Sequence, residues 1–171
     1  MSEGRGFVPT TRKIVSLAEA ARVLSERRAS GCAVAYTNGC FDLMHAGHVR
    51  TLESARAQAE VLVVGVDSDD SARRIKGEGR PIVPEQDRAE LVAALACVDL
   101  VVVFGDETSL GVLAALRPEV WVKGGDYTLE TVNQEERAFV QSYGGRVVLG
   151  QRVPSISTTD IIARIEALAK D

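Results

Sequence analysis

His45 and His48 are the two histidines of the chain, and they stand three residues apart in the run Thr37-Asn-Gly-Cys-Phe-Asp-Leu-Met-His-Ala-Gly-His48. At the start of a helix, residues three apart share one side of the first turn, so both imidazoles can face a single volume. The first N–H groups of that helix have no partner within it. Imidazole donors, free N–H groups and the positive end of a helix dipole together suit a polyphosphate. Gly39 permits a tight turn before the helix, and Gly47 leaves room for a ligand at its start. A metal pair, or two solvated side chains, would use the same spacing.

Three further segments carry groups that suit an anion. Arg73-Arg-Ile-Lys-Gly-Glu-Gly-Arg-Pro81 reads as a Gly-flanked basic loop that could close Lys76 and Arg80 over charged groups, or as a solvated basic turn. In Val122-Lys-Gly-Gly-Asp-Tyr127, two glycines free the backbone to wrap a ligand while Lys123 donates and Asp126 accepts. An ordinary Gly-Gly turn with a surface ion pair has the same composition. Arg152-Val-Pro-Ser-Ile-Ser-Thr-Thr159 opens the last helix, with Ser157 or Thr158 as its N-cap. A capped helix start still has N–H groups to offer a phosphate. Cys40 reads as packing, Phe41 and Trp121 as core or site wall, and Asp42 as an orienter of its own loop. Asp67 reads as a structural turn acid in preference to a ribose partner.

These residues need a scaffold, and the hydrophobic pattern supplies one. Residues 33–37, 61–66, 100–104, 120–122 and 146–149 are short apolar runs, apolar on both faces as buried parallel strands are. Helical patterns lie over 17–28, 46–59, 84–96, 108–116, 132–143 and 158–169. Alternation of this kind implies an α/β protein with a doubly wound five-stranded parallel sheet. In such sheets ligands bind beyond the carboxyl ends of the strands, which is where the segments above fall. Residues 1–11 are expected to be a flexible N-terminus and 12–171 a single domain, with a leading helix and a core over 33–169.

Composition narrows the class. The chain has 171 residues, 46% hydrophobic and 26% charged, enough for one well-packed domain. Its 20 basic and 24 acidic side chains leave a net charge of −4, which disfavours a protein that coats nucleic acid. Three cysteines without metal-ligand spacing suit a reducing compartment. No secretory signal or bilayer-spanning run is read from the sequence, so a cytoplasmic protein is expected, with no membrane or nucleic-acid partner.

Gly39-Cys-Phe-Asp-Leu-Met-His-Ala-Gly-His48 resembles the G-x-F-D-x-x-H-x-G-H signature of the cytidylyltransferase-like nucleotidyltransferases. The resemblance runs over about residues 12–168 and implies a Rossmann-like nucleotidyltransferase fold. It implies that His45 and His48 stabilise charge at the α-phosphate of a nucleoside triphosphate. Thr37, Asn38, Gly39, Phe41 and Gly47 would line that nucleotide site. The Lys-Gly-x-x-Arg-Pro-Ile segment resembles the mobile segment of the heptose-phosphate branch, which implies that Lys76 reaches the transferring phosphate and that Arg80 and Arg88 are substrate-phosphate candidates. The KGGDY run resembles the same branch and implies nucleotide contacts for Lys123, Gly124 and Asp126. The last segment resembles an R-x-x-x-x-S-T-T element, placing Arg152, Ser157, Thr158 and Thr159 on the β- and γ-phosphates. This chain has Ser155 where heptose-branch members often carry glycine.

What the resemblance implies is a heptose 1-phosphate nucleotidyltransferase, AMP from ATP being the expected group, with Mg²⁺ held mainly by phosphates and water. A separate sugar kinase and a homodimer are implied as partners. A cytidylyltransferase for another polyol phosphate, such as glycerol 3-phosphate, is the alternative. A nucleotide-binding module without turnover is a different class, which pyrophosphate release would separate from an enzyme.

Overall fold

A computed structural model describes residues 8–124, 127–150 and 157–169. Five strands make up its sheet: β1 (Val34–Gly39), β2 (Val61–Asp67), β3 (Leu100–Phe104), β4 (Val120–Lys123) and β5 (Arg146–Leu149). All pair in parallel, in the order β3-β2-β1-β4-β5. The chain winds outward from β1 to β3, then returns to place β4 on the other side of β1. The reversal therefore lies between β1 and β4, where Ala35 pairs with Val120 and Tyr36 with Trp121. Connections leaving these two strands diverge to opposite faces and open a crevice at their carboxyl ends.

Eight helices flank the sheet among the described residues: α1 (Thr10–Lys13), α2 (Leu17–Ala29), α3 (Ala46–Arg56), α4 (Asp69–Lys76), α5 (Glu85–Ala93), α6 (Leu110–Leu116), α7 (Gln134–Ser142) and α8 (Thr158–Leu168). The two-residue alternation of the strands sorts the core into two layers. Val34, Tyr36, Val63, Val102 and Trp121 pack with Leu24 of α2, Leu113 and Leu116 of α6 and Val140 of α7. Ala35, Leu62, Val64, Val101 and Val122 pack with Leu52 and Ala55 of α3 and Ala89 and Val92 of α5. β2 is buried along its whole length, as its β-branched run on both faces requires.

Two expectations change. The basic segment after β2 is a helix over Arg73–Lys76: α4 starts on the Ser68 cap, whose side chain accepts from Ser71 N at 3.1 Å, and stops at Gly77 with φ +93°. Asp69 and Asp70 in the first turn and basic residues in the last complement the dipole, so the start and stop signals were present in the sequence. The described N-terminal residues include a short helix, α1, from Thr10. Thr10 bonds Glu90, Lys13 donates to the Leu95 and Val98 carbonyls, and Ile14 bridges Val101 beside the sheet. Several expected helices are shorter than their apolar patterns, because caps decide the ends. Asn133, for example, accepts from Glu135 N and Glu136 N and starts α7 at Gln134, two residues later than the pattern.

Candidate active site

His45 and His48 meet at the N-terminus of α3, and each imidazole serves as a cap. His45 Nδ1 accepts from Gly47 N at 3.1 Å, and His48 Nδ1 accepts from His45 N at 3.3 Å. A nitrogen that accepts an N–H carries no proton of its own, so the proton of each neutral ring sits on Nε2. The ring centroids lie 3.9 Å apart. Both rings are held neutral: burial and the neighbouring His45 push His48 down to about 4, and burial lowers His45 while Asp160 opposes. The pair thus offers two neutral Nε2–H donors side by side. The helix N–H groups that sequence reasoning left free for an anion are in part taken by the rings themselves.

The loop before α3 is packed against this pair. Phe41 adopts φ +52°, a strained value for a bulky residue, with its ring centroid 5.5 Å from His48. Gly39 stands against the same ring, and Thr37 is buried in β1. The first turn of α3 is also tied to β4: Thr51 Oγ1 donates to Gly47 O at 3.0 Å, and a Cβ at Gly124 would lie 2.3 Å from Thr51 Cγ2. Gly124 is therefore required by close approach.

α8 brings its N-terminus to the same place, with Thr158 Oγ1 donating to Leu43 O at 3.3 Å. Ser157 caps α8, accepting from Asp160 N and donating Oγ–H to Asp160 Oδ2 at 2.6 Å, which holds that carboxyl below its usual range. Its hydroxyl is occupied by the cap, while Thr159 is exposed. On the other side of the crevice, Lys123 Nζ donates to Asn38 Oδ1 at 3.0 Å and lies 4.9 Å over the Trp121 ring. Burial lowers the Lys123 pKa, against the pull of Glu136 and Asp67.

Asp42, 2% exposed, reaches beyond its own loop. It accepts from Arg80 Nε at 2.6 Å and from the Ile82 and Val83 amides at 2.8 and 2.9 Å, clamping the segment before α5. Arg80 is thus anchored through one nitrogen, with no partner for its terminal nitrogens among the described residues. Arg88 is corrected as a substrate-phosphate candidate. It is 0% exposed, and its guanidinium donates to Val83 O, Cys40 O and Asp69 Oδ1. A buried guanidinium with its bonds made in this way joins three loops and does not reach a substrate. Lys76 ends α4 exposed; burial raises the Asp67 pKa, and the charge of Lys76 is among those that oppose the rise. Asp126 and Arg152 lie outside the described residues. Sequence reasoning missed Thr51, whose only signal was its place one turn after Gly47, and Glu136, a buried carboxylate on α7 that nothing in the local pattern marked.

Comparisons with known proteins bear on the family and the fold. A family model described as cytidylyltransferase-like matches residues 36–164, from β1 into α8. The bifunctional protein HldE of Syntrophotalea carbinolica is 52% identical over 143 residues, covering 84% of this chain and 29% of that protein. HldE of Geobacter sulfurreducens is 49% identical over 153 residues, covering 90% of this chain and 31% of its own length. The chain therefore spans less than a third of these relatives. The crystal structure of the lipopolysaccharide core biosynthesis protein from Thermoplasma volcanium superposes with a TM-score of 0.63 at 23% identity, over 72% of this chain and 99% of that one. That likeness speaks for the fold, and the sequence match covers the sheet, the histidine pair and the start of α8: the chain belongs to the cytidylyltransferase-like family.

Proposed function

We propose that this protein transfers AMP from ATP to a heptose 1-phosphate, forming ADP-heptose and pyrophosphate. The observation that carries the transfer chemistry is the pair of neutral imidazoles whose Nδ1 atoms cap α3 and whose Nε2–H groups are left to donate. The heptose acceptor is supported by the KGGDY and Lys-Gly-x-x-Arg-Pro-Ile segments and by the identity with the HldE proteins.

The acceptor phosphate oxygen is already an anion, so no general base is needed. It attacks the α-phosphorus in line; the new O–P bond forms as the bond to the β-phosphate oxygen breaks, and pyrophosphate leaves with that electron pair. His45 and His48 donate Nε2–H bonds to the oxygens on which charge gathers, in a fixed geometry that needs no reorganisation. The α8 N-terminus, with Thr158, Thr159, Ser157 and Arg152, holds the β- and γ-phosphates. Thr37, Asn38, Gly39, Phe41, Gly47, Lys123 and Gly124 shape the nucleotide's place between β1 and β4, Asp126 is a further nucleotide contact by its motif, and Lys76 and Arg80 approach from the α4–α5 side. Mg²⁺ enters as MgATP. The hydroxyl, imidazole and amide donors gathered here suit phosphate oxygens, and those oxygens with water would hold the ion. The ion then serves to neutralise charge on the triphosphate. No described helix is long and apolar enough to cross a membrane. A cytoplasmic enzyme, a homodimer and a separate kinase that makes the acceptor complete this reading.

The experiment is a matrix of ATP, CTP, GTP and UTP against heptose 1-phosphate, other sugar 1-phosphates and glycerol 3-phosphate, read by pyrophosphate release with Mg²⁺. The highest kcat/KM is expected for ATP with heptose 1-phosphate. Preference for CTP and glycerol 3-phosphate would replace the substrates, and nucleotide binding without release in any cell would remove the enzymatic reading.

A further inference from the structure

The face of the sheet opposite α3 ends in a row of polar groups, of which Asn38 and Lys123 border the nucleotide and the carboxylates have no part in the transfer described above. The two-residue alternation places Asn38 beyond Tyr36 on β1, Asp67 beyond Gly65 on β2, and Lys123 beyond Trp121 on β4. Below this row, Tyr36 and Trp121 are fully buried, and Tyr36 Oη and Trp121 Nε1 have no hydrogen-bond partner. Buried polar atoms of this kind are uncommon and call for a partner. Gly65 belongs to the same floor: a Cβ there would lie 2.3 Å from Tyr36 Oη. Glu136 enters from α7, 3% exposed, with one oxygen accepting from Ser109 N and Oγ. Neither its other oxygen nor either oxygen of Asp67 bonds a described residue. Burial raises the Asp67 pKa, opposed by the charge of Lys123 and reinforced by that of Glu136.

Two carboxylates, an amide, an ammonium, a phenol and an indole N–H alternate acceptors with donors over a small area. A phosphate placed here would face two negative charges, and an apolar group would leave them all unpaired. A chain of hydroxyls fits, because each can donate to a carboxylate and accept from Lys123. Two such groups are at hand, the acceptor sugar and the ribose of the nucleotide. In-line displacement separates them. Pyrophosphate is held at the α3 and α8 N-termini, so the attacking oxygen approaches the α-phosphorus from the far side, the side on which this row stands. We propose that Asp67 and Glu136, over a floor of Tyr36 and Trp121 and beside the Lys123 that borders the nucleotide, form the subsite that reads the hydroxyls of the acceptor sugar. This rests on the reading of the protein as a sugar-phosphate nucleotidyltransferase.

Asp67→Asn keeps the shape and removes the charge. Its KM for heptose 1-phosphate should rise at least 10-fold, as roughly expected for a lost charged hydrogen bond, with KM for ATP within twofold of the parent's. A rise in KM for ATP alone would assign the row to the ribose and overturn the proposal, as would a folded variant in which neither KM moves. Glu136→Gln should behave like Asp67→Asn, with its urea midpoint measured to separate a folding defect. Trp121 is the only tryptophan of the chain, so its emission reports occupancy without turnover. Heptose 1-phosphate, added alone and with α,β-methylene-ATP, should change that emission where inorganic phosphate does not, and Asp67→Asn should abolish the change. If no sugar phosphate is turned over by the parent protein, the proposed function fails. This titration still decides the subsite: a sugar-dependent change lost in Asp67→Asn supports it, and no change overturns it.

Discussion

The histidine pair does two jobs with two different atoms. Nδ1 of His45 replaces the serine or aspartate that usually caps a helix, Nδ1 of His48 replaces the glutamate that reaches back to the cap's own N–H, and Nε2 of each ring is thereby left as the donor. The two roles can be separated by amides that mimic one nitrogen each. His48→Asn puts an acceptor near the Nδ1 position and should keep the cap, yet lower kcat by roughly 10²–10³ through loss of the remote donor. His48→Gln places an amide near the Nε2 position and should retain more activity, while losing about 0.5–2 kcal/mol of stability with the cap. Pyrophosphate release and urea midpoints read the two effects, and equal losses of rate in both variants would contradict this division. The HxGH spacing was legible in the sequence; which nitrogen donates was not, because that depends on where the backbone amides of residues 45 and 47 point.

At the scale of elements, the site depends on contacts between segments far apart in the chain. Asp42 clamps Arg80, Ile82 and Val83, Arg88 joins the loop after β1 to α4, and Gly124 of the β4 loop presses on Thr51 of α3. Gly124→Ala would drive a methyl into Thr51 Cγ2, and Thr51 cannot swing aside without giving up its bond to Gly47 O. A cost of about 1–3 kcal/mol is expected. Adding Thr51→Ser, which removes the methyl and keeps the hydroxyl, should recover most of it, as measured by denaturant midpoints of the single and double variants. Failure of the second change to restore stability would mean that backbone freedom at Gly124, not this contact, is what the site requires. The strands were readable from their apolar runs and α3 from the apolar spacing of Val49, Leu52 and Ala55. α4 was hidden by its basic composition, which reads as a loop until Ser68 and Gly77 are recognised as its cap and stop.

For the molecule as a whole, folding sets a pH dependence that the histidine count alone does not. Above pH 6.5 His48 is neutral in both the folded and unfolded chain and adds no slope. Between 6.5 and about 4 the unfolded chain binds a proton that the folded chain refuses, so stability falls as pH falls, by at most about 1.4 kcal/mol per pH unit from this residue. Below about 4 the loss levels off. Carboxylates titrate in the same range, so the comparison with His48→Asn isolates the histidine. The stability difference between parent and variant should shrink from pH 7.5 to pH 5 in urea titrations; a constant difference would place His48 in a more solvated, more easily protonated setting.

By itself the sequence determined the class of fold, the five strands and six of the helices along the chain, and the segments proposed to bind phosphate. Those follow from hydrophobic periodicity and short motifs, which act over a few residues. Only the tertiary structure decided the roles of individual groups. It buried Arg88 as a bridge between loops and made the two imidazoles both cap and donor. It set Asp67, Lys123 and Glu136, 13 to 69 positions apart, along one edge of the sheet. Burial and charge pairing depend on which residues the crossovers bring together at the β1–β4 reversal, and no local pattern encodes that distance.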